Sequence, residues 1–210
     1  MKRLFAKLAH TTCTFCLALV VGVLGLLALP TIANAGSYDD FFKAIALDDA
    51  SSVRRLLQQG FDPNTISPNG ASALHIAIME ESFNAAQVLV DAPDIRADQP
   101  NASDETPLML AALKGHLALS LTLINKGAQI NKPGWTPLHY AASSDVSRGV
   151  QVVQALLANG AHVNSTSLTG TTPLILATLY GTEPTIVQLL QGGANPLALN
   201  NAGRSALDLA

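Results

Sequence analysis

Three glycines, Gly127, Gly160 and Gly193, stand 33 residues apart, and each sits in the same kind of segment. NKGAQIN (Asn125–Asn131), ANGAHVN (Ala158–Asn164) and QGGANPL (Gln191–Leu197) are versions of one theme, with QQGFDPN (Gln58–Asn64) an earlier copy. A second theme alternates with it: Ser72-Ala73-Leu74-His75, Thr106-Pro107-Leu108-Met109, Thr136-Pro137-Leu138-His139, Thr172-Pro173-Leu174-Ile175 and Ser205-Ala206-Leu207-Asp208. Self-similarity at such a period means supersecondary units that cannot bury a hydrophobic face alone and stack to do so. Each unit then contacts only its neighbours, which favours an extended surface over an enclosed pocket.

One unit can be built from local chemistry. Thr or Ser at the N-cap accepts a hydrogen bond from an orphan amide of the helix start, and Pro at the first helical position loses an N–H that would be unpaired anyway. A short inner helix follows, for example Pro107 to Lys114, with small residues such as Ala111-Ala112 or Ala141-Ala142 for close packing. A turn at Gly115 leads to an outer helix ending near Lys126, and Gly127 supplies the positive φ that closes it. Runs such as VVQALLANG and TIVQLLQGG carry apolar residues at helical spacing. The Asn/Gly/Asp-rich stretch after each closing glycine suits an extended hairpin finger.

This pattern resembles the ankyrin repeat, with its 33-residue period and T-P-L-H-x-A signature. The resemblance covers residues 37–210 and implies an all-α ankyrin-repeat solenoid of about five repeats plus a terminal half-repeat. The approximate units are 37–67, 68–101, 102–132, 133–168, 169–200 and a partial 201–210. The first unit has lost the signature and places Phe41 at its leucine position, as a terminal unit facing solvent can tolerate. The last, Gly203 to Ala210, looks like a lid over the preceding core.

The register slips at one place. Signature leucines are spaced 34, 30, 36 and 33 residues apart, and the 30 and 36 flank Leu138. From closing glycine to next signature leucine, Gly60–Leu74, Gly160–Leu174 and Gly193–Leu207 span 14, whereas Gly127–Leu138 spans 11. From signature leucine to closing glycine, Leu138–Gly160 spans 22 against 19 elsewhere. The fourth unit has thus lost three residues from its finger and gained three between its helices, in Ser143 to Gly149. A notch beside Trp135 and a bulge at the inserted turn are expected. The second unit departs too, with Pro93 where the closing glycine belongs.

Residues 1–35 read as a secretory signal peptide. Lys2, Arg3 and Lys7 precede an uncharged apolar run from Cys13 to Leu29, Pro30 ends it, and Ala33-Asn34-Ala35 offers a small-x-small cleavage site. The expected cut lies between Ala35 and Gly36. Both cysteines, Cys13 and Cys16, lie in this segment, so the expected product has no disulfide or thiolate chemistry. Three of the twelve basic residues also lie there, leaving nine against fifteen acidic residues, a formal charge of −6 for residues 36–210. An acidic domain without a basic run does not suit nucleic acid or an anionic membrane.

The residues that suggest chemistry read better as architecture. His75 and His139 occupy equivalent positions two units apart, on the order of 20 Å at helix-packing spacing, too far for one metal ion. The resemblance implies that the signature histidine bonds to its own Thr/Ser and to neighbouring backbone. His116 at a helix turn and His162 at the start of a finger read as structural or exposed. Ser143, Ser144, Asp145 and His139 are near in sequence but offer no nucleophile elbow or oxyanion hole. The pairs Asp39-Asp40, Asp48-Asp49 and Glu80-Glu81 are expected at helix starts or turns. No catalytic residue, metal or cofactor is assigned.

The expected function is therefore a non-enzymatic, monomeric protein-interaction module, exported to the periplasm or secreted. It takes a protein partner through its concave face and finger loops, with no nucleic acid, small-molecule substrate or membrane contact after cleavage. The candidate contact residues are Asn69, Lys132, Trp135, Tyr140, Ser167, Asn200 and Asn201. Trp135, the only tryptophan, is the strongest of these as an aromatic anchor. The family resemblance also admits an accessory factor for a periplasmic enzyme such as catalase, or a host-directed effector.

Overall fold

A computed structural model describes residues 34–145 and 148–210. The apolar run of the expected signal peptide lies outside the described residues. The expected cut after Ala35 falls inside the first turn of helix α1 (Asn34–Ala46). From Asp39 to Ala210 the chain forms one compact unit. It is all-helical: α2 (Ala50–Gln58), α3 (Ala73–Met79), α4 (Phe83–Asp91), α5 (Pro107–Leu113), α6 (Leu117–Asn125), α7 (Pro137–Ala142), α8 (Gly149–Ala158), α9 (Pro173–Tyr180), α10 (Glu183–Gln191) and α11 (Ala206–Leu209). Among the described residues there is no strand beyond one isolated bridge between Ile66 and Ser72. Nor is any described helix long and apolar enough to cross a membrane.

The helices alternate between two layers. The inner helices α3, α5, α7, α9 and α11 pack on one another in succession, as do the outer helices α2, α4, α6, α8 and α10. One core runs through the stack. The signature leucines Leu74, Leu108, Leu138 and Leu174 are fully buried in it, Phe41 takes that place in the first unit, and Ala77, Ala111, Ala141 and Ala177 let the helix axes approach. Pro107, Pro137 and Pro173 open their helices behind the caps Thr106, Thr136 and Thr172.

Capping follows the sequence with one difference. Thr106 accepts from the Met109 amide (3.3 Å), Thr172 from Ile175 (3.2 Å) and Ser205 from Asp208 (3.2 Å). Thr136 makes no such bond. Its hydroxyl instead donates to Nδ1 of His139 at 2.9 Å, and the His139 amide bonds to the Thr136 carbonyl at 3.0 Å. A second difference concerns the acidic pairs. Asp39 and Asp40 lie within α1 rather than at a helix start. Asp49 does cap α2, accepting from the Ser51 and Ser52 amides, while Asp48 crosses to the next unit and accepts from the Ala85 amide at 2.8 Å.

Gly127, Gly160 and Gly193 end α6, α8 and α10 with φ of +87°, +86° and +89°, the left-handed conformation that closes a helix. α4 ends differently, at Ala92 with an extended backbone before Pro93. The fingers are tied together by asparagines. Asn64, Asn131 and Asn164 each donate to a carbonyl of the following finger (Asp94, Gly160 and Gly193) and accept from its amides at Arg96, His162 and Asn195.

Gly181, in the turn between α9 and α10, is required for a different reason. A Cβ there would run into the Ala142 carbonyl oxygen and lie 2.8 Å from the Ala177 Cα. Both are backbone atoms and cannot swing aside. Gly181→Ala should therefore cost about 1–3 kcal/mol, as overpacking does. Its urea midpoint should fall with the slope of the transition unchanged.

Candidate partner-binding surface

The residue just before each cap leads from a finger into an inner helix. Four of these positions hold Ala71, Glu105, Thr171 and Arg204, and the fifth holds Trp135. Two residues before each cap the chain takes a positive φ, at Gly70, Asp104, Gly134, Gly170 and Gly203. In four fingers a backbone hairpin supports this tip: Ser67–Ala71, Asn101–Glu105, Ser167–Thr171 and Asn200–Arg204 each pair amide to carbonyl at 2.8–2.9 Å. Among the described residues no backbone bond joins Asn131 to Trp135. The three missing residues are those of the hairpin stalk, because Asn131 serves at once as the finger-linking asparagine and as the start of the tip.

Trp135 is thereby delivered directly onto the start of α7. Its ring meets His139 edge-on at 5.4 Å and Tyr140 at 6.5 Å with planes 88° apart, and it stays 40% exposed. Beyond it lies a cleft of about 280 Å³ between α7 and α9, lined by Trp135, His139, Tyr140, Ser143, Leu176 and Tyr180. This cleft lies on the α9 side of Trp135. Tyr180 was missed from sequence, although aligning the caps shows it eight residues after Thr172, at the open end of its helix. It is 62% exposed.

The Tyr140 hydroxyl donates to Glu105 Oε1 at 2.9 Å, across to the preceding finger. Glu105 Oε2 accepts from Asn101 Nδ2 at 2.8 Å. Burial first, and then the Glu105 carboxylate, push the Tyr140 phenol well above its usual range. Lys132 also reaches back, to the Asp104 carbonyl at 2.8 Å and the Asp104 carboxylate at 2.6 Å. Its side chain is only 12% exposed, so it locks two fingers together rather than standing free for a partner. Ser167 is turned inward as well. It is buried, and its hydroxyl accepts from the Thr169 and Thr171 amides. Asn200 holds the last tip, accepting from Ala202 and Arg204 amides, while Asn201 is exposed and donates to the Leu168 carbonyl. Asn69 is exposed at the first tip. Trp135 and Tyr140 share the cleft; Lys132, Ser167, Asn69, Asn200 and Asn201 do not line it.

The inserted turn is anchored at Ser144 and at Gly149. Ser144 is buried and donates to the Leu113 carbonyl at 2.8 Å, and Gly149 packs against Gly115 of the preceding turn. Asp145 between them is exposed.

The histidine frame is now explicit. Nε2 of His139 lies 3.0 Å from the Thr171 carbonyl, so this nitrogen carries the proton and donates; Nδ1 accepts from the Thr136 amide at 3.2 Å. His75 repeats the arrangement with Ser72 and the Glu105 carbonyl. His116 caps α6 and stacks on Phe83 with centroids 3.9 Å apart, whereas His162 is exposed. Both nitrogens of His139 are thus committed to the framework, and Ser143 donates to the Tyr140 carbonyl instead of to a base. No group of three His, Cys, Asp or Glu able to hold a metal occurs among the described residues.

A family model, "Ankyrin repeats (3 copies)", matches residues 41–133 and 93–167. The chain belongs to the ankyrin-repeat family. Among curated relatives, mouse nuclear factor NF-kappa-B p105 subunit is 33% identical over 150 residues, covering 67% of this chain and 15% of that protein. Mouse B-cell lymphoma 3 protein homolog is 29% identical over 150 residues, covering 68% and 33%. Human neurogenic locus notch homolog protein 1 is 33% identical over 155 residues, covering 70% and 6%. The chain thus spans a third or less of these relatives' length. A crystal structure of an ankyrin repeat domain from Acinetobacter baumannii AYE superposes with a TM-score of 0.69 at 28% identity, over 81% of this chain and 89% of that one. Ankyrin repeats are protein–protein interaction scaffolds.

Burial holds the pKa values of His75 and His139 below the ordinary 6.5. The sign follows: above 6.5 both folded and unfolded chains carry neutral rings, and stability is fully present. As pH falls through 6.5 the unfolded chain binds protons that the folded chain refuses, so stability is lost. Thermal melts at pH 7.5 and 5.5 should show Tm falling on acidification. A His139→Gln variant should be less stable at pH 7.5 but lose less between the two pH values.

Proposed function

We propose that this chain is an exported ankyrin module, with no catalytic role of its own, that binds a protein partner along its finger-side groove, with Trp135 as the central anchor. The observation that carries this reading is the convergence of Trp135, Tyr140 and Tyr180 on one open cleft between α7 and α9. Elsewhere the large aromatic side chains Phe41, Phe61 and Phe83 are drawn into the core or packed against it. Half-exposed Trp and Tyr rings beside a concavity are the residues that dominate interface energetics. The departure from repeat register supports the same position, since it gives this unit alone a short finger and a tryptophan before its cap.

Export is supported by the sequence of residues 1–35, and its expected product begins at Gly36. Edman or mass-spectrometric analysis of the protein from a periplasmic fraction should give an N-terminus at Gly36. An intact N-terminus in the cytosolic fraction would refute export. Immobilised residues 36–210 should capture a stoichiometric partner from the same periplasmic fraction. Trp135→Ala should weaken that capture by about tenfold or more, as loss of an interface anchor does, with the melting curve unchanged. Equal capture by the variant would remove Trp135 from the contact.

A further inference from the structure

The cleft has aromatic walls and a negative charge behind them, and no Lys or Arg among its lining residues. Two of its walls, Trp135 and Tyr140, stand at 88° to each other with centroids 6.5 Å apart, so they form a corner rather than a stack. Tyr180 lies across from them on α9. A corner of aromatic faces is open to an atom group about as wide as an ammonium or guanidinium head, and the negative faces of the rings attract such a cation.

The charge arrangement selects further. Among the described residues the ion pairs are Lys114–Glu81 and Lys132–Asp104. Asp104 is therefore compensated, whereas Glu105 has no cationic partner among the described residues. Its two oxygens are held instead by the Tyr140 hydroxyl and the Asn101 amide. A phenol donating to a carboxylate becomes more electron-rich, which strengthens the attraction of its ring face for a cation. His139 adds no positive charge, because its ring is buried and both nitrogens are bonded within the framework. The excess of acidic residues over residues 36–210 favours approach of a basic partner in the same sense.

We propose that the cleft between α7 and α9 receives a lysine or arginine side chain of the partner, held against Trp135, Tyr140 and Tyr180 in the field of Glu105. This rests on the reading of the groove as the partner-binding surface, and it adds the chemistry of the residue that enters. An apolar side chain would bury the same rings but would make no use of Glu105, whose negative charge would gain nothing from it.

Trp135 is the chain's only tryptophan, so its fluorescence reports on this cleft alone. The full chain is titrated with acetylated, amidated pentapeptides Gly-Gly-X-Gly-Gly, where X is lysine, arginine or the neutral straight-chain norleucine. The lysine or arginine peptide should give a saturable change with a Kd about tenfold below that of norleucine, the ratio expected when a cation–π contact adds to a nearby carboxylate. Tyr180→Ala should abolish the preference. Glu105→Gln should reduce it several-fold, with the melting curve confirming that the stack is intact. Binding of norleucine as tightly as lysine and arginine would overturn the cation reading and leave the interaction module standing. No response to any of the three peptides would overturn the cleft as a side-chain receptor. Loss of partner capture in the experiment on Trp135→Ala is read separately, because it does not depend on which side chain the partner supplies.

Discussion

An inner helix of four to eight residues is too short to persist by itself. Fixing the first turn costs more than a few further hydrogen bonds return, and isolated helices of this length are marginal even in favourable sequences. The stack therefore depends on how each short helix is started and on what it leans against. In α7 one ring meets both needs. Nδ1 of His139 bonds at its own helix start, to Thr136, and Nε2–H reaches the Thr171 carbonyl, the residue before the next cap. The ring sets both the beginning of one helix and its spacing from the next. His75 does the same between α3 and the segment ahead of α5. At Ser72 the cap hydroxyl also accepts from the helix amide of His75, as Thr106 and Thr172 do from theirs.

Much of this was legible in the sequence, because the repeat forces each residue type into a repeated role. The caps, the prolines behind them, the buried leucines and the closing glycines were all readable by position, and the slip around Leu138 located the altered finger and turn to the residue. What was not legible were interactions that cross between units at variable positions. Glu105 reads as a polar loop residue, yet its carboxylate meets Tyr140 thirty-five positions on. Lys132 reads as a free surface cation, yet it is held by Asp104. Ser167 sits in an exposed-looking finger, yet its hydroxyl is turned in to the hairpin it stabilises. Such pairings depend on side-chain reach across the stack, which repeat spacing does not encode. Tyr180 was hidden for a different reason: it ends its helix where other units carry Glu80, Lys114 or Ser144, so the position has no repeated signature.

The cleft itself follows from the slip in register. Seven residues after the cap, neighbouring inner helices carry Met79, Leu113 and Leu179, while α7 has already ended and Ser143 stands there. The inserted turn causes this early ending. Ser144 is drawn away to the Leu113 carbonyl and Gly149 closes onto Gly115, and α7 ends two residues sooner after its cap than α9 does. A small side chain at that position leaves space between Tyr140 and Tyr180. At the other end of the same helix the missing hairpin stalk sets Trp135 directly above His139. The loss and the gain of three residues cancel in length, which keeps the following unit in phase so that Nε2 of His139 still finds the Thr171 carbonyl. They do not cancel in shape: one end of α7 gains an aromatic wall and the other gives up an aliphatic one. The framework is preserved by the sum of the two changes, and the contact site is made by their difference.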